Sequence, residues 1–373
     1  MGEHSLLSAS AAHRWLNCTA SVNFTKDMPD TESQYAAEGT LAHAWCEYKL
    51  KKALGDPTAR KPEQKPDAIM SECVEAYVAE VMAVVAGQKD KPYVFVEQRI
   101  DYSSFAVANS FGTADCVILS EDKICIFDFK YGMGVPVSAE NNPQLMLYAA
   151  GAYQMFGQAL EIREDSSVEL HIYQPRISNS NNWSLPLSKL IEICNENFKP
   201  KALQALDGKQ AHFEAGDWCR FCKGKAICRA RADANLARCR KDFALPPELS
   251  DDEIAELLPK LDEINKWCED LKDYALKAAL DGHTFDGFKV VEGRTTRKYK
   301  NEEIVAQIVK NQGLDPYDHK VLGITAMQKL LGRKRFDDLL GGELIKSQGK
   351  PVLVPESDKR QALTETTDFV IEE

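Results

Sequence analysis

The sequence predicts an α/β protein, and three observations carry that expectation. Long segments with helical periodicity flank short runs that alternate or are rich in β-branched residues. A hairpin pattern occupies the middle of the first half, and a further strand follows after an intervening helix. The chain has 373 residues, 44% hydrophobic and 28% charged. That is the balance of a globular protein with length for one large or two ordinary domains.

Taken in order, residues 8–24 read as a helix, with Ser8 or Ser10 as N-cap and Trp15 and Leu16 on its inner face. A second helix is expected after Gly39, over residues 40–50. A Pro- and Lys-rich loop (55–66) separates it from a third over 69–86. Residues 93–100 alternate as a strand. Residues 116–119 and 124–127 read as two more, joined by the turn Ser120-Glu121-Asp122-Lys123. Asn142 as N-cap and Pro143 at the first position introduce a helix over 144–156. A strand over 168–173 and a helix after Ser188 lead to a cysteine-rich segment. Leu245-Pro246-Pro247 reads as a boundary, dividing the chain into 1–244 and 245–373. Beyond it Ser250 and Glu253 form a capping-box pair. Ile254, Leu257, Leu261, Ile264, Cys268, Leu271, Ala275 and Ala278 then recur at steps of three and four. This coiled-coil-like stripe should bend at Pro259 and stop near Gly282. A hairpin (288–292 with 295–299), two helices and a polar tail complete the expected C-terminal module.

No apolar run approaches the ~20 residues of a membrane helix, and the N-terminus lacks a charged-then-apolar signal segment. Eleven cysteines are scattered along the chain. Several lie beside strand or helix cores, which suits a reducing cytoplasm better than a disulfide framework. The net charge of −11 argues against wholesale electrostatic attachment to DNA. It is unevenly spread, however: from Cys219 to Lys241 there are eight Lys or Arg residues and one acid, Asp233. Such a stripe is enough to contact phosphates.

Chemistry concentrates in two places. With the hairpin centred on Glu121-Asp122, Asp115 faces Asp128 across the pair. Directly opposed side chains in an antiparallel ladder lie roughly 4.5–5.5 Å apart at Cβ, and like charges there repel. Two carboxylates so placed imply a cation between them. Strand alternation puts Lys130 beside Asp128, where it can orient a water or steady charge on a phosphate. The second place is Cys219-x2-Cys222-x5-Cys228. Three thiolates at that spacing suit zinc or an iron–sulfur centre, each needing a fourth ligand. Cys18 is the stronger choice and Cys239 the weaker. A [4Fe–4S] cluster is favoured over structural zinc and over plain buried cysteines. A link from Cys18 to this segment would close a ring around the intervening chain, restricting the unfolded state by ~4–5 kcal/mol on the loop-entropy estimate.

Taken together, these residues resemble the RecB-type branch of the PD-(D/E)xK nuclease superfamily, and within it are more similar to iron–sulfur members such as the CRISPR-associated RecB-like exonucleases and the AddB nuclease domain. Gly39-Thr40-Leu41-Ala42-His43 is similar to that branch's helical motif, whose histidine binds metal. Gly112-Thr113-Ala114-Asp115 resembles its first acidic motif, Asp128-Phe129-Lys130 the superfamily signature, and Gln144 with Tyr148 its Gln-x-x-x-Tyr motif. One early and three late cysteines reproduce the cluster arrangement. The resemblance covers about residues 8–231, and the whole chain looks like a phage or prophage protein. It implies a restriction-endonuclease-like core, a mixed sheet flanked by helices. It also implies a Mg²⁺- or Mn²⁺-dependent deoxyribonuclease, more an exonuclease than an endonuclease, working in DNA recombination or repair. His43, Asp115, Asp128 and the Phe129 carbonyl would hold metal, with Lys130 catalytic and Gln144 and Tyr148 at the active site or on DNA. Glu97, on the strand before the hairpin, could be a metal-proximal acid or a strand-end surface charge. Cys18, Cys219, Cys222 and Cys228 would hold the cluster. The alternative is a non-catalytic DNA-binding component, or one that docks a phage single-strand-binding or annealing protein.

Overall fold

A computed structural model describes residues 5–29, 34–239, 251–291, 299–317 and 320–345, with nothing stated of the side chains of 34–36, 238 and 239. Its centre is a five-stranded sheet in sequence order: β1 (Tyr93–Asp101), β2 (Phe111–Ser120), β3 (Lys123–Phe129), β4 (Ser167–Gln174) and β5 (Asn179–Pro186). Neighbours are antiparallel except β3 and β4, which run parallel. A parallel pair needs a crossover, and here it is supplied by a helix between β3 and β4. The architecture is therefore α/β, with a mixed sheet flanked by helices.

Helices cover both faces of the sheet. Before it come α1 (Ala12–Asn17), α2 (Ser21–Thr25), α3 (Gln34–Ala53) and α4 (Ala68–Ala86); the crossover is α5 (Pro143–Phe156). On one face, Val117, Leu119, Ile124, Ile126, Val168 and Leu170 pack with α5 and the N-terminal segment in one core. On the other, Cys116, Ile118, Cys125, Phe127 and Phe129 pack with α3 and α4. After β5 the chain forms α6 (Leu187–Ile193), a π-helical turn (Cys194–Phe198), α7 (Lys199–Leu206) and α8 (Arg229–Cys239). Then follow α9 (Asp251–Leu280), α10 (Glu302–Lys310), α11 (Ile324–Leu331) and α12 (Arg333–Leu340).

The hairpin has the register expected of it. Cys116 pairs with Phe127 and Ser120 with Lys123, leaving a two-residue turn at Glu121-Asp122. Asn142 caps α5 as anticipated, its side chain accepting from the backbone N–H of Gln144 and Leu145, with Pro143 in the first turn. Gly151 is where α5 presses on β1: a Cβ there would lie 2.7 Å from the Asp101 carbonyl oxygen.

Several expectations are corrected. The single helix over 8–24 is broken between α1 and α2, because Cys18 leaves helical geometry (φ −123°, ψ 83°). The next residues are tied to a distant segment instead: Ala20 N–H donates to the His212 carbonyl (3.0 Å) and His212 N–H to Thr19 Oγ1 (2.9 Å). The helix expected from Thr40 begins at Gln34, and Gly39 lies within it, its missing Cβ facing open space. Strand β5 was not anticipated. Its sequence is mostly Asn and Ser, and only Leu185 is buried, as befits an edge strand covered on one side.

The C-terminal region differs more. Residues 288–291 are not strand, and the rest of that expected hairpin, 292–298, lies outside the described residues, as do the Leu245-Pro246-Pro247 boundary, Ser250 and the polar tail. Three helices, not two, follow among the described residues. Helix α9 runs through Pro259, and four of the eight residues of its apolar stripe are exposed, with Ile254, Leu261 and Leu271 each more than 40% accessible. What holds α9 is charge. Arg231 on α8 is 1% exposed, and its guanidinium donates to Glu263 (2.7 Å) and Asp270 (2.8 Å). Lys225 also pairs with Asp270, at 3.0 Å. The basic stripe is thus partly neutralised by the acidic helix, and Arg231 and Lys225 are not free to meet a phosphate. Removing one partner of a buried pair strands the other charge. Asp270→Ala should therefore lower stability by ~3–5 kcal/mol, read as a fall in denaturation midpoint, whereas Lys266→Ala, partly exposed beside the same carboxylate, should have little effect.

Candidate metal centre and cysteine cluster

The sheet end where β2 enters and β3 leaves carries one group of polar side chains. The β2–β3 ladder ends at Cys116 and Phe127, and Asp115 and Asp128 are the next residues beyond it. Its Oδ2 accepts the Phe129 backbone N–H at 2.7 Å, and its Oδ1 is 3.3 Å from His43 Nδ1 on α3. Glu97 of β1 completes this side. Ligand atoms of His43, Glu97 and Asp115 all lie within 4.8 Å of one another. Glu97 has φ +52°, although the ladder keeps register on either side of it (Val96 with Cys116, Gln98 with Ala114). A left-handed residue inside a strand costs of order 1–3 kcal/mol and tends to mark a functional position. Glu97 is therefore no strand-end surface charge.

Asp128 sits on the other side of the group, 3% exposed. Its Oδ1 accepts from Lys130 Nζ (3.0 Å) and from Gln144 Nε2 (2.9 Å), and Gln144 Oε1 in turn accepts from Lys130 (3.3 Å). Asp128 Oδ2 is 2.9 Å from Lys130 Nζ but outside hydrogen-bonding alignment, so it is a buried oxygen without a hydrogen bond. Its charge is met by the Lys130 ammonium. Capped α5 aims Gln144 at this triangle, and Tyr148, one turn on, is buried behind it. Gly112 is required for that arrangement, because a Cβ there would come within 2.9 Å of the Tyr148 ring and hydroxyl. Phe129 turns its ring inward against His43 and Tyr77.

Protonation follows from this crowding. Burial raises the Asp128 pKa, Asp115 raises it further, and Lys130 opposes both. Burial and then Asp115 push Glu97 from 4.5 to about 7. For His43 burial acts downward, but Asp115 and Glu97 outweigh it and bring the value from 6.5 to about 9. Without a cation the cluster therefore holds protons that the unfolded chain would release.

A second group lies where the broken N-terminal helix meets the cysteine-rich segment. Cys18, Cys219, Cys222 and Cys228 line one small pocket, with Arg14, Phe24, Phe213 and Trp218 around them. Cys18 Sγ accepts from Glu214 N–H (3.4 Å) and Cys219 Sγ from Gly216 N–H (3.5 Å). Phe24 packs onto Gly224 so closely that any Cβ there would clash with its ring. Burial raises the thiol pKa of Cys219 and Cys222, while Arg231 and Arg14 act to lower them. Among the described residues, no three of these sulfurs fall within 4.8 Å of one another. The side chain of Cys239, the weaker choice for fourth ligand, lies outside the described residues.

Of the sequence-anticipated site residues, the structure brings His43, Glu97 and Asp115 within 4.8 Å of one another, links Asp128, Lys130 and Gln144 by hydrogen bonds, and places the four cysteines around one pocket. What sequence reasoning missed is the support: Gly112 behind Tyr148, and the strained backbone of Glu97. Neither has a local signal, since both follow from contacts between separate elements.

Fold and site define an α/β protein with an acidic, histidine-containing candidate metal centre at its sheet end and a separate four-cysteine cluster. The chain belongs to the family described as "Protein of unknown function (DUF2800)", whose model matches residues 4–361. Among solved structures it is similar to the crystal structure of SSO0001, at 12% identity, over 62% of this chain and 89% of that one, with a TM-score of 0.24. Among the described residues no helix is long and apolar enough to cross a membrane.

The folded chain binds protons at His43 and Glu97 more tightly than the unfolded chain. Their contribution to stability is fully present below pH 4.5 for Glu97 and 6.5 for His43, and is lost as pH rises through about 7 and about 9. In chelator, the melting temperature should therefore drop between roughly pH 5 and pH 9. Added Mn²⁺, which binds the deprotonated forms, should flatten that drop, and so should the double variant Glu97→Gln/His43→Asn.

Proposed function

We propose that the protein is a metal-dependent deoxyribonuclease of the RecB-like PD-(D/E)xK type, an exonuclease rather than a sequence-specific endonuclease. The observation that carries this reading is the group formed by His43, Glu97 and Asp115, whose ligand atoms lie within 4.8 Å of one another, on the same hairpin as the buried Asp128 paired with Lys130. Carboxylate donors with one imidazole suit Mg²⁺ or Mn²⁺. His43, Asp115 and Asp128 would hold the ion, with the Phe129 carbonyl as a further donor and Glu97 beside them. Bound there, it would supply Lewis acidity, making a nucleophile of water and neutralising the scissile phosphate.

The chain's own groups do the rest. Lys130, held charged by Asp128, presents its ammonium to the attacking water or the phosphoryl oxygens. Gln144 fixes the geometry of both, accepting from Lys130 and donating to Asp128. Tyr148 is too buried to grip DNA and acts as support for Gln144. Glu97, near neutrality without metal, can take up a proton as the water is deprotonated.

The four thiols favour a [4Fe–4S] cluster. A tetrahedral zinc with Zn–S near ~2.3 Å would hold all its sulfurs ~3.8 Å apart, whereas among the described residues no three of these come within 4.8 Å of one another. Backbone N–H donors to sulfur and nearby Arg14 would balance the cluster's negative charge. Its role is structural, joining the Cys18 turn to the segment after α7. DNA would be held by groups around the sheet end and by those basic residues, such as Arg220 and Arg229, that α9 does not neutralise. A phage recombination setting and a single-strand-binding or annealing partner belong to the same proposal.

Anaerobically purified protein should be brown, with broad visible absorption and about four irons per chain; colourless, zinc-containing protein would remove the cluster assignment. With end-labelled DNA and Mn²⁺, the native chain should release nucleotides, and Asp128→Asn or Lys130→Ala should reduce the rate by at least ~10²-fold. No cleavage by the native chain, with DNA still bound, would favour the non-catalytic alternative.

A further inference from the structure

A second group of metal-type ligands lies farther back along the sheet and takes no part in the chemistry above. Cys125 on β3 pairs with Glu169 on β4, and Phe127 with His171, so the parallel register sets three donors on one sheet face. Glu169 Oε2 is 3.7 Å from Cys125 Sγ and 3.7 Å from His171 Nε2, and all three ligand atoms lie within 4.8 Å of one another. Cys125 is fully buried. His171 Nε2 is buried without a hydrogen bond.

We propose that Cys125, Glu169 and His171 form a binding site for a zinc-type transition-metal ion that clasps the parallel β3–β4 junction. A tetrahedral ion with Zn–S near ~2.3 Å, Zn–N near ~2.0 Å and Zn–O near ~2.0 Å separates S from O by ~3.5 Å and N from O by ~3.3 Å. The two spacings to Glu169 Oε2 need to close by only a few tenths of an ångström, and the sulfur and the imidazole nitrogen lie within 4.8 Å of each other. One sulfur, one imidazole nitrogen and one carboxylate oxygen is a borderline donor set, suited to Zn²⁺ and unsuited to Mg²⁺ or Ca²⁺.

The surroundings pre-set the ligands. Lys123 donates to Glu169 Oε1 at 2.6 Å, keeping that carboxylate ionised and leaving Oε2 for the ion. The Phe127 ring stacks on His171 (4.2 Å between centroids, 8° between planes), fixing the imidazole. Side-chain exposures of 25% for Glu169 and 12% for His171 give an entry path and an open fourth position. A plain Lys123–Glu169 ion pair over a core cysteine accounts for part of this group. It does not account for the orphaned His171 nitrogen, which a metal ion would satisfy. Cys125 and Asp128 are three residues apart on β3, about 10 Å at strand spacing, so one ion cannot serve both sites.

Zinc bound per full-length chain, measured by elemental analysis after dialysis against micromolar Zn²⁺, tests the proposal. The native chain should carry one equivalent more than Glu169→Gln or His171→Asn. Asp115→Asn, which alters the other centre, should retain that equivalent. Because His171 packs against Phe127, the partly exposed Glu169→Gln decides if His171→Asn fails to fold. Zn²⁺ should also raise the melting temperature of the native chain and not of Glu169→Gln. Equal zinc content and equal thermal response in native chain and folded variants would overturn the site, whatever the outcome of the cleavage assay.

Discussion

Withdrawing the Asp128 carboxylate from water is the constraint on which the centre of this molecule is organised. A buried charge must be compensated or neutralised, and each neighbouring feature answers to that need. Lys130 lies two residues on along the chain and on the same side, where strand alternation brings it back to Asp128. Gln144 is carried in by a helix whose start is fixed by the Asn142 cap and Pro143. Tyr148 fills the space behind, and Gly112 leaves room for it. Both oxygens of Asp128 face the Lys130 ammonium, and the ligand atoms of Asp115, His43 and Glu97 form a group of their own within 4.8 Å of one another.

Closure of the molecule rests on contacts between segments about two hundred residues apart in sequence. The Cys18 turn is tied to the segment before Trp218 by backbone and side-chain hydrogen bonds, and four thiols converge there. Its continuation into α8 then holds α9 through the buried Arg231 pairs. The basic stripe and the acidic helix, which look in sequence like two independent surfaces, in part complete each other. Part of the apolar stripe of α9, including Ile254, Leu261 and Leu271, stays exposed.

The core of the fold was legible where patterns are local. The hairpin register follows from strand alternation and an even turn, the α5 cap from Asn-Pro, and the length of α4 from its apolar periodicity. Strand β5 escaped because an edge strand of Asn and Ser lacks the alternation that a covered strand shows. The break at Cys18 escaped because its cause lies at His212. The C-terminal stripe suggested a packed coiled coil, but periodicity records only that one face is apolar, not that anything covers it.

The sequence by itself determined which residue types occur, their order, and the short-range geometry that chain connectivity enforces. That sufficed to set the hairpin register up to Cys116 and Phe127, to set Lys130 beside Asp128 and to align Gln144 with Tyr148 on one helix face. Only the tertiary structure decided what those groups meet. It brought Glu97 and His43 to Asp115, turned Arg231 inward to α9, and set Cys125 beside Glu169 and His171. The physical reason is that such contacts depend on the relative positions of elements far apart in the chain. Those positions are fixed by burial and packing of the whole domain, which no local pattern encodes.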